Sequence, residues 1–364
     1  MPREQLPRDL VGDILCLLPL KSLARFRAVC KEWNTIWEDK SFTNHYLSRT
    51  RPQFMDHVLS SIVERDITLE YPCETHTSIG YCDGFVVFCM HKKGFAIWNP
   101  WVRQNKFIEN QEFDLCGIGY DNVTGYKIFG LKSFYDCSGE DNYRVAIYEC
   151  RSDVWKFIND TGLEPRRLIM QDNIVSIKGN LYVIAFDRKT HESFLQSFDF
   201  SEDKFKTICA NLPIMEGYYT GILAVFRGDR VSLLMQSEDV DTKVEILVSK
   251  QRIDEYGEVL VWINYMTVSI PSFPSLQPHI LNPRPTYFVD GEKRLFVCIF
   301  DGTDHLCIYI VKGDVLSKIP IDFVLNENDI FVTTYVRYIP SFISIPCESN
   351  EVSLKSKIPI DSPL

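Results

Sequence analysis

Residues able to do chemistry are present in this chain but scattered. The seven histidines, at positions 45, 57, 76, 91, 191, 279 and 305, stand singly. His76 and His91 flank Cys82 and Cys89, and that set of side chains has zinc-ligand chemistry. Its spacing fits no usual structural zinc pattern, so ordinary loop and core residues are the better reading. Carboxylates pair at Glu140-Asp141, Glu202-Asp203 and Glu238-Asp239, as acid–base work would use them, but each pair sits among turn residues and reads as a solvated loop. A GxxxxGKS/T phosphate loop, an HExxH helix and a GxSxG elbow are all missing. Trp98, Tyr148 and Phe198 recur at fixed spacing and could line a ligand cage, although blade-like core positions suit them better. No catalytic residue, metal or cofactor is therefore assigned.

Composition points the same way. The chain has 364 residues, enough for one large domain and a small one. It is 45% hydrophobic and 13% aromatic, with 24 Phe and 17 Tyr, a globular mixture rich in strand-favouring residues. The net charge of -10 disfavours nucleic acid as a partner. That charge is uneven: residues 1–52 hold nine Lys/Arg against six Asp/Glu, a balance of +3, which leaves -13 for the rest. The acidic body is expected to favour basic target segments. Twelve cysteines occur without a CxxC pair and read as reduced, buried thiols. The start MPREQLPRD is polar, no apolar run approaches transmembrane length and no membrane-binding amphipathic stretch is visible. The expectation is an intracellular protein, in the nucleus, the cytoplasm or both. Without a secretory context the sequons at Asn122 and Asn159 carry no meaning.

The elements that must position these residues differ sharply along the chain. From 6 to 33 the pattern is helical. Leu10, Val11, Ile14, Leu15 and Leu18 fall at i, i+1, i+4, i+5 and i+8, one stripe of a short helix. Pro19 stops it, Ser22 can open a second helix carrying Leu23, Phe26, Val29 and Cys30, and a third piece holds Trp33, Ile36 and Trp37. Three helices in so few residues cannot bury a solid core alone. They read either as a cap packed on the next domain or as a docking module whose apolar face a partner completes.

From about 67 to 339 short strand-like runs bounded by Gly, Asp or Asn take over. Ala96-Ile97-Trp98 and Ala146-Ile147-Tyr148 lie fifty residues apart, and both runs end in Lys-Phe-Ile. Phe198 falls in the same slot fifty residues on, followed by Leu247 and Tyr309, with the Pro-rich stretch 271–285 lengthening the last interval. Two strand-like runs precede each slot and usually one follows. Four antiparallel strands per repeat of about fifty residues is the pattern of a propeller blade. Five units cover roughly 77–321, and a sixth could be closed by 331–339 pairing with segments from 54 to 71, which would remove an exposed sheet edge. A β-sandwich with coincidental spacing is the competing architecture. The fold class expected is mainly β: a small N-terminal α-helical module followed by a β-propeller-like domain of about five to six four-stranded blades. The divisions are 1–47, the helical module; 48–76, a connector with a first strand; 77–345, the propeller-like domain; and 346–364, a flexible tail. The hexapeptide Ser-Lys-Ile-Pro-Ile-Asp occurs at 317–322 and again at 356–361 in that tail, a repeat that reads as chance or as a duplicated strand end.

Two resemblances sharpen this reading. The run LPRDLVGDILCLLPLKSLARFRAVCKEW (6–33), followed by Phe42, closely resembles the F-box, through Leu6-Pro7, Ile14-Leu15, Leu18-Pro19, Lys21-Ser22-Leu23, Arg25-Phe26-Arg27 and Val29-Cys30-Lys31-x-Trp33. Leu17 departs from it, where many relatives carry a basic or polar residue. The later chain resembles the F-box-associated domain of plant F-box proteins, some of them described as kelch-like, through Cys82-Asp83-Gly84, Ile97-Trp98-Asn99-Pro100, Gly119-Tyr120-Asp121, Ser176 to Asn180, Ser197 to Phe200 and Tyr338 to Ser341. A clean kelch double glycine is missing. The resemblance implies a non-catalytic substrate-recognition subunit of an SCF-type ubiquitin ligase. Its F-box would bind a Skp-type adaptor, and through it a cullin, by way of Leu6, Pro7, Leu10, Ile14, Leu15, Leu18, Pro19, Leu23, Phe26, Val29, Cys30 and Trp33. The β-domain would hold an unknown target protein, at residues the sequence does not reveal. A propeller that binds protein or glycan without recruiting a ligase is the alternative.

Overall fold

In a computed structural model the described residues are 8–15, 18, 42, 76–90, 94–99, 102, 104–109, 113–121, 123–135, 141–164, 167–187, 189–210, 212, 218–237, 243–253, 260–276, 285–290, 292–300, 305–324 and 345. They form one helix, α1 (Arg8–Leu15), and a five-bladed β-propeller. Blade 1 comprises β1 (His76–Cys82), β2 (Phe85–Met90), β3 (Gly94–Asn99) and β4 (Gln104–Glu109). Blade 2 comprises β5 (Leu115–Asp121), β6 (Gly125–Tyr135), β7 (Asp141–Glu149) and β8 (Val154–Ile158). Blade 3 comprises β9 (Arg167–Ile177), β10 (Asn180–Asp187), β11 (Ser193–Asp199) and β12 (Lys204–Cys209). Blade 4 comprises β13 (Tyr218–Phe226), β14 (Arg230–Ser237), β15 (Lys243–Ser249) and β16 (Trp262–Ser269). Blade 5 comprises β17 (Thr286–Val289), β18 (Leu295–Phe300), β19 (His305–Lys312) and β20 (Val315–Val324). Within each blade the four strands pair antiparallel in chain order. The segments 54–71 and 331–339, proposed partners in a sixth blade, and the tail copy of the hexapeptide lie outside the described residues.

The fifty-residue period has a direct structural meaning. Trp98, Tyr148, Phe198, Leu247 and Tyr309 all stand on the third strand of their blades, β3, β7, β11, β15 and β19. They also share a face. Tyr148 packs in the seam with blade 1, Phe198 in the seam with blade 2, Leu247 in the seam with blade 3 and Tyr309 in the seam with blade 4. Trp98 lies on the face of blade 1 turned away from blade 2. Each slot residue therefore looks back at the preceding position in the ring.

Blade seams are the core. Successive residues of a strand point to opposite faces, and here both faces are buried. On β6, Ile128 enters the seam with blade 1 and Phe129 the seam with blade 3. That is why the middle strands read as unbroken apolar runs rather than as alternating ones. The remaining seams pair Tyr182 and Ile184 with Leu223 and Leu233, and Leu234 and Ile246 with Val297 and Val311. At the two ends of the series, Val86, Phe88 and Ala96 of blade 1 and Phe300, Leu306 and Ile321 of blade 5 are buried in separate clusters. Ile345, beyond blade 5 in sequence, packs on the seam of blades 1 and 2, and its N–H donates to Gln104 Oε1 at 2.9 Å.

Local sequence sets the hairpins. Asp83-Gly84 and Lys178-Gly179 close the first hairpins of blades 1 and 3 with both residues left-handed, φ 48° and 88° and φ 50° and 88°. This is the two-residue turn whose twist matches the strands it joins. Near the axis the backbones touch: the Tyr120 N–H donates to the Gly179 carbonyl at 2.9 Å. A side chain on Gly119 would collide with that carbonyl oxygen and with the Phe200 ring.

Candidate functional site

The helix α1 carries the residues expected at a docking face, and the structure divides them. Leu15 is 2% exposed, while Leu10 and Ile14 are each 50% exposed. Val11 and Leu18 are half-buried. The apolar stripe is wider than one contact can cover. Residues 11 and 15, an i, i+4 pair, share one line of the helix and turn inward, 10 and 14, the pair beside it, stay outside, and Leu18, expected on the same stripe, stands in a bend past the helix end. The Leu18 N–H donates to the Leu15 carbonyl at 3.1 Å, tightening the end of the helix. Phe42, 7% exposed and far along the chain, lies against Gly12, where an added Cβ would meet its ring at 3.6 Å. Of the other expected adaptor contacts, Leu6, Pro7, Pro19, Leu23, Phe26, Val29, Cys30 and Trp33 lie outside the described residues.

The propeller's charged residues were not found by sequence reasoning, and they form seam staples rather than an acid–base pair. Lys127 on β6 and Asp121 at the end of β5 are both buried and meet at 2.7 Å. The same ammonium donates to the Phe200 carbonyl at 2.8 Å and lies 3.8 Å from Asp203. Burial alone would raise the Asp121 carboxyl. The Lys127 bond, the Thr124 hydroxyl and the N–H groups of Thr124 and Val123 outweigh it and hold the carboxyl well below the ordinary range. Asp203 also takes Lys156 at 2.6 Å. One blade earlier Lys106 meets Asp153 at 2.6 Å and donates to the Tyr148 oxygen at 2.8 Å, while the Tyr148 hydroxyl donates to Asp153. Both pairs tie the outer strand of one blade to the last turn of the next. The shared Lys-Phe-Ile endings at 106–108 and 156–158 were their visible trace. Asp203, expected in a solvated loop, is instead largely buried in a seam, because two lysines of the neighbouring blade reach its turn.

No group of three or more His, Cys, Asp or Glu among the described residues could hold a metal ion. The described cysteines are thiols rather than disulfides: Cys82, Cys89, Cys116, Cys150, Cys209 and Cys307 are buried and Cys298 nearly so. Burial, with Cys307 beside it, pushes the Cys298 thiol up to about 12, a state that makes a poor nucleophile. Among the described residues no helix is long and apolar enough to cross a membrane.

Comparison with known proteins accords with this architecture. Residues 4–45 match the F-box domain and residues 43–345 the F-box associated beta propeller domain. F-box protein At3g17710 of Arabidopsis thaliana is 37% identical over 97% of this chain and all of its own length. Putative F-box/kelch-repeat protein At1g12170 of the same plant is 36% identical over 94% of this chain and 99% of that one. Among solved structures, AofleA from Arthrobotrys oligospora aligns with 71% of this chain and 75% of its own at 12% identity and a TM-score of 0.41, too loose a likeness to carry any argument. The chain belongs to the F-box proteins that carry an F-box associated beta propeller domain.

Proposed function

We propose that the chain is the substrate-recognition subunit of an SCF-type ubiquitin ligase, with the helical module docked on a Skp-type adaptor and the propeller holding a target protein. The observation that carries this reading is the division of α1: Leu15 is buried while Leu10 and Ile14 are left half in water on one face. Large apolar side chains in that position are natural anchors for a partner, and a few anchors carry most of an interface's energy. Leu6, Pro7, Ile14 and Trp33 form the centre of that interface in this reading, and Leu15, expected there from the sequence, is turned inward instead. The chain itself breaks no bond. It raises the effective concentration of target lysines near a ubiquitin-loaded enzyme, turning a bimolecular transfer into a nearly intramolecular one. Cullin contact follows through the adaptor, and neither nucleic acid nor membrane takes part. The residues 1–47 act as the docking unit and 77–345 as the target-binding unit.

The test is co-purification of adaptor with the parent chain and with the Leu6→Ala/Pro7→Ala double variant, each beside a thermal melt. The reading expects a loss of at least about 2 kcal/mol of adaptor binding, roughly thirtyfold in affinity, with target binding and the propeller's melt retained. Undiminished adaptor binding would sink the docking role. Joint loss of adaptor and target would sink the division into two units.

A further inference from the structure

Between consecutive blades, one cluster of buried side chains draws on both neighbours. Phe95 meets Ile128 between blades 1 and 2, and Phe129 meets Phe198 between blades 2 and 3. Ile184 and Leu233 share the next seam, Ile246 and Val297 the one after. The two outermost faces of the series break this rule. Blade 1 turns Val86, Phe88 and Ala96 away from blade 2, with Tyr81, Trp98 and Phe107 packed on them, and every residue of that cluster belongs to blade 1. Blade 5 turns Phe300, Leu306 and Ile321 away from blade 4, with Cys298 and Ile308 beside them, all from blade 5. Phe288 and Phe296 stack on that same face with ring centroids 4.5 Å apart.

Both faces are nonetheless dry: Phe88 is 1% exposed and Phe296 3%. Side chains of a sheet face lose their water only against other matter, and these two faces do not bury each other, because their clusters stay separate. Chain from outside the described residues must therefore stand between blades 5 and 1. Three observations say which chain. Val324 ends the outer strand of blade 5, while Ile345 packs on the seam of blades 1 and 2 and its N–H donates to Gln104 on the outer strand of blade 1, so 325–344 has to cross the gap. The described links between blades are 110–114, 159–166, 210–217 and 270–285, and 325–330 and 72–75 are short enough to serve as two more. The match to the F-box associated beta propeller domain spans 43–345, beyond the described blades at both ends.

From this geometry we infer that residues 54–71 and 331–339 of this chain dock on these two faces as one sheet, a sixth blade made from both ends of the propeller region, and so close the ring. Their sequences suit the place. In 331–339, FVTTYVRYI, large apolar residues fall on both sides of a strand, as a seam between two blades requires. Ile67, Leu69 and Tyr71 alternate with Thr68 and Glu70, giving one dry side and one wet side. The tail 346–364 is polar along its length and could not cover such faces. The ring then begins at 54 rather than 77. Only 48–53 is left to join it to the docking unit, a reach of at most about 20 Å, so a bound target is held close to the adaptor. That last consequence rests on the adaptor-docking reading, whereas the closure itself does not.

The test uses the full chain without adaptor, so its failure and the failure of adaptor docking are told apart. Tyr335→p-benzoylphenylalanine places a photo-cross-linker of similar size within 331–339, and the products are mapped by mass spectrometry. Cross-links to 54–71, or to the outward faces of blades 1 and 5, are expected. Cross-links to 1–47, to 346–364 or to a second copy of the chain overturn the closure, as does the absence of any product. Hydrogen exchange then tests the pairing. A proline removes an amide donor and does not fit a paired strand, so Tyr335→Pro should speed exchange in 54–71, and Leu69→Pro exchange in 331–339, by at least about tenfold each. Ser353→Pro, in the tail, should leave both segments as in the parent. Exchange in 54–71 that is indifferent to Tyr335→Pro, or in 331–339 to Leu69→Pro, overturns the shared sheet. The cross-link needs no destabilising change, so it decides the closure even where a proline variant unfolds.

Discussion

Leu10 and Ile14 on α1 and Ile128 and Phe129 on β6 are the same kind of residue in opposite surroundings. The helix pair is half in water, whereas the strand pair is fully buried, one residue in each of two seams. Blades 2 to 4 each have a neighbouring blade on both faces, so their seams make a core from one chain. An eight-residue helix has room to turn Leu15 and its line inward but not the line beside it. The contrast teaches which region can stand alone and which presents an unfinished surface. It also ranks what mutation should do to each.

The largest loss of stability is expected in the seams. Phe198 has no exposed surface and packs on Phe129, Phe200 and Phe205, so Phe198→Ala should cost about 3–5 kcal/mol, measured by denaturant unfolding. A loss under about 1 kcal/mol would mean that the seams are not the core. Asp121→Asn comes next, because it strands the Lys127 charge in a buried site; breaking one partner of such a pair costs about 3–5 kcal/mol, softened here by the bond Lys127 keeps to the Phe200 carbonyl. This pair also sets a pH dependence. The folded carboxyl is held below its unfolded value, so its contribution is fully present above about pH 4 and is lost as pH falls toward the depressed folded value. Unfolding midpoints of the parent should therefore decline below about pH 4, and Asp121→Asn should flatten that decline. A more modest effect is expected from Lys106→Met. Its partner Asp153 is largely exposed, so about 0.5–1 kcal/mol is lost and the loss shrinks in high salt. Smallest of all is the effect on stability of Leu10→Ala or Ile14→Ala, within about 0.5 kcal/mol each, since neither side chain is packed away.

Much of the propeller was legible because its period is long and carried by large aromatic residues. Trp98, Tyr148 and Phe198 mark the third strand of three successive blades at intervals of fifty, and an inserted Pro-rich stretch displaces Tyr309 without moving it to another strand. The unfinished helix face was legible only as a stripe. Periodicity gives the angle of Leu10, Val11, Ile14, Leu15 and Leu18 around the helix, but which of them is covered depends on distant residues such as Phe42 beside Gly12. The staples were not legible. Lys106 and Asp153 lie 47 residues apart, as do Lys156 and Asp203. Pairings of that kind follow from how blades stack. Neighbouring turn residues pointed to a solvated loop at Glu202-Asp203, and the summed charge only to an acidic body after a mildly basic head.

The account's central claim is that the helix face is left open for an adaptor while the propeller is complete in itself. The most direct measurement is isothermal titration of purified Skp-type adaptor into the full chain and into Leu10→Ala/Ile14→Ala, two residues whose exposure makes the variant's fold safe. The account predicts an affinity about tenfold to thirtyfold lower for the variant, equivalent to about 1.4–2 kcal/mol, with its unfolding curve overlaying the parent's. Equal affinities would contradict it, and so would an unfolding midpoint that falls together with the affinity.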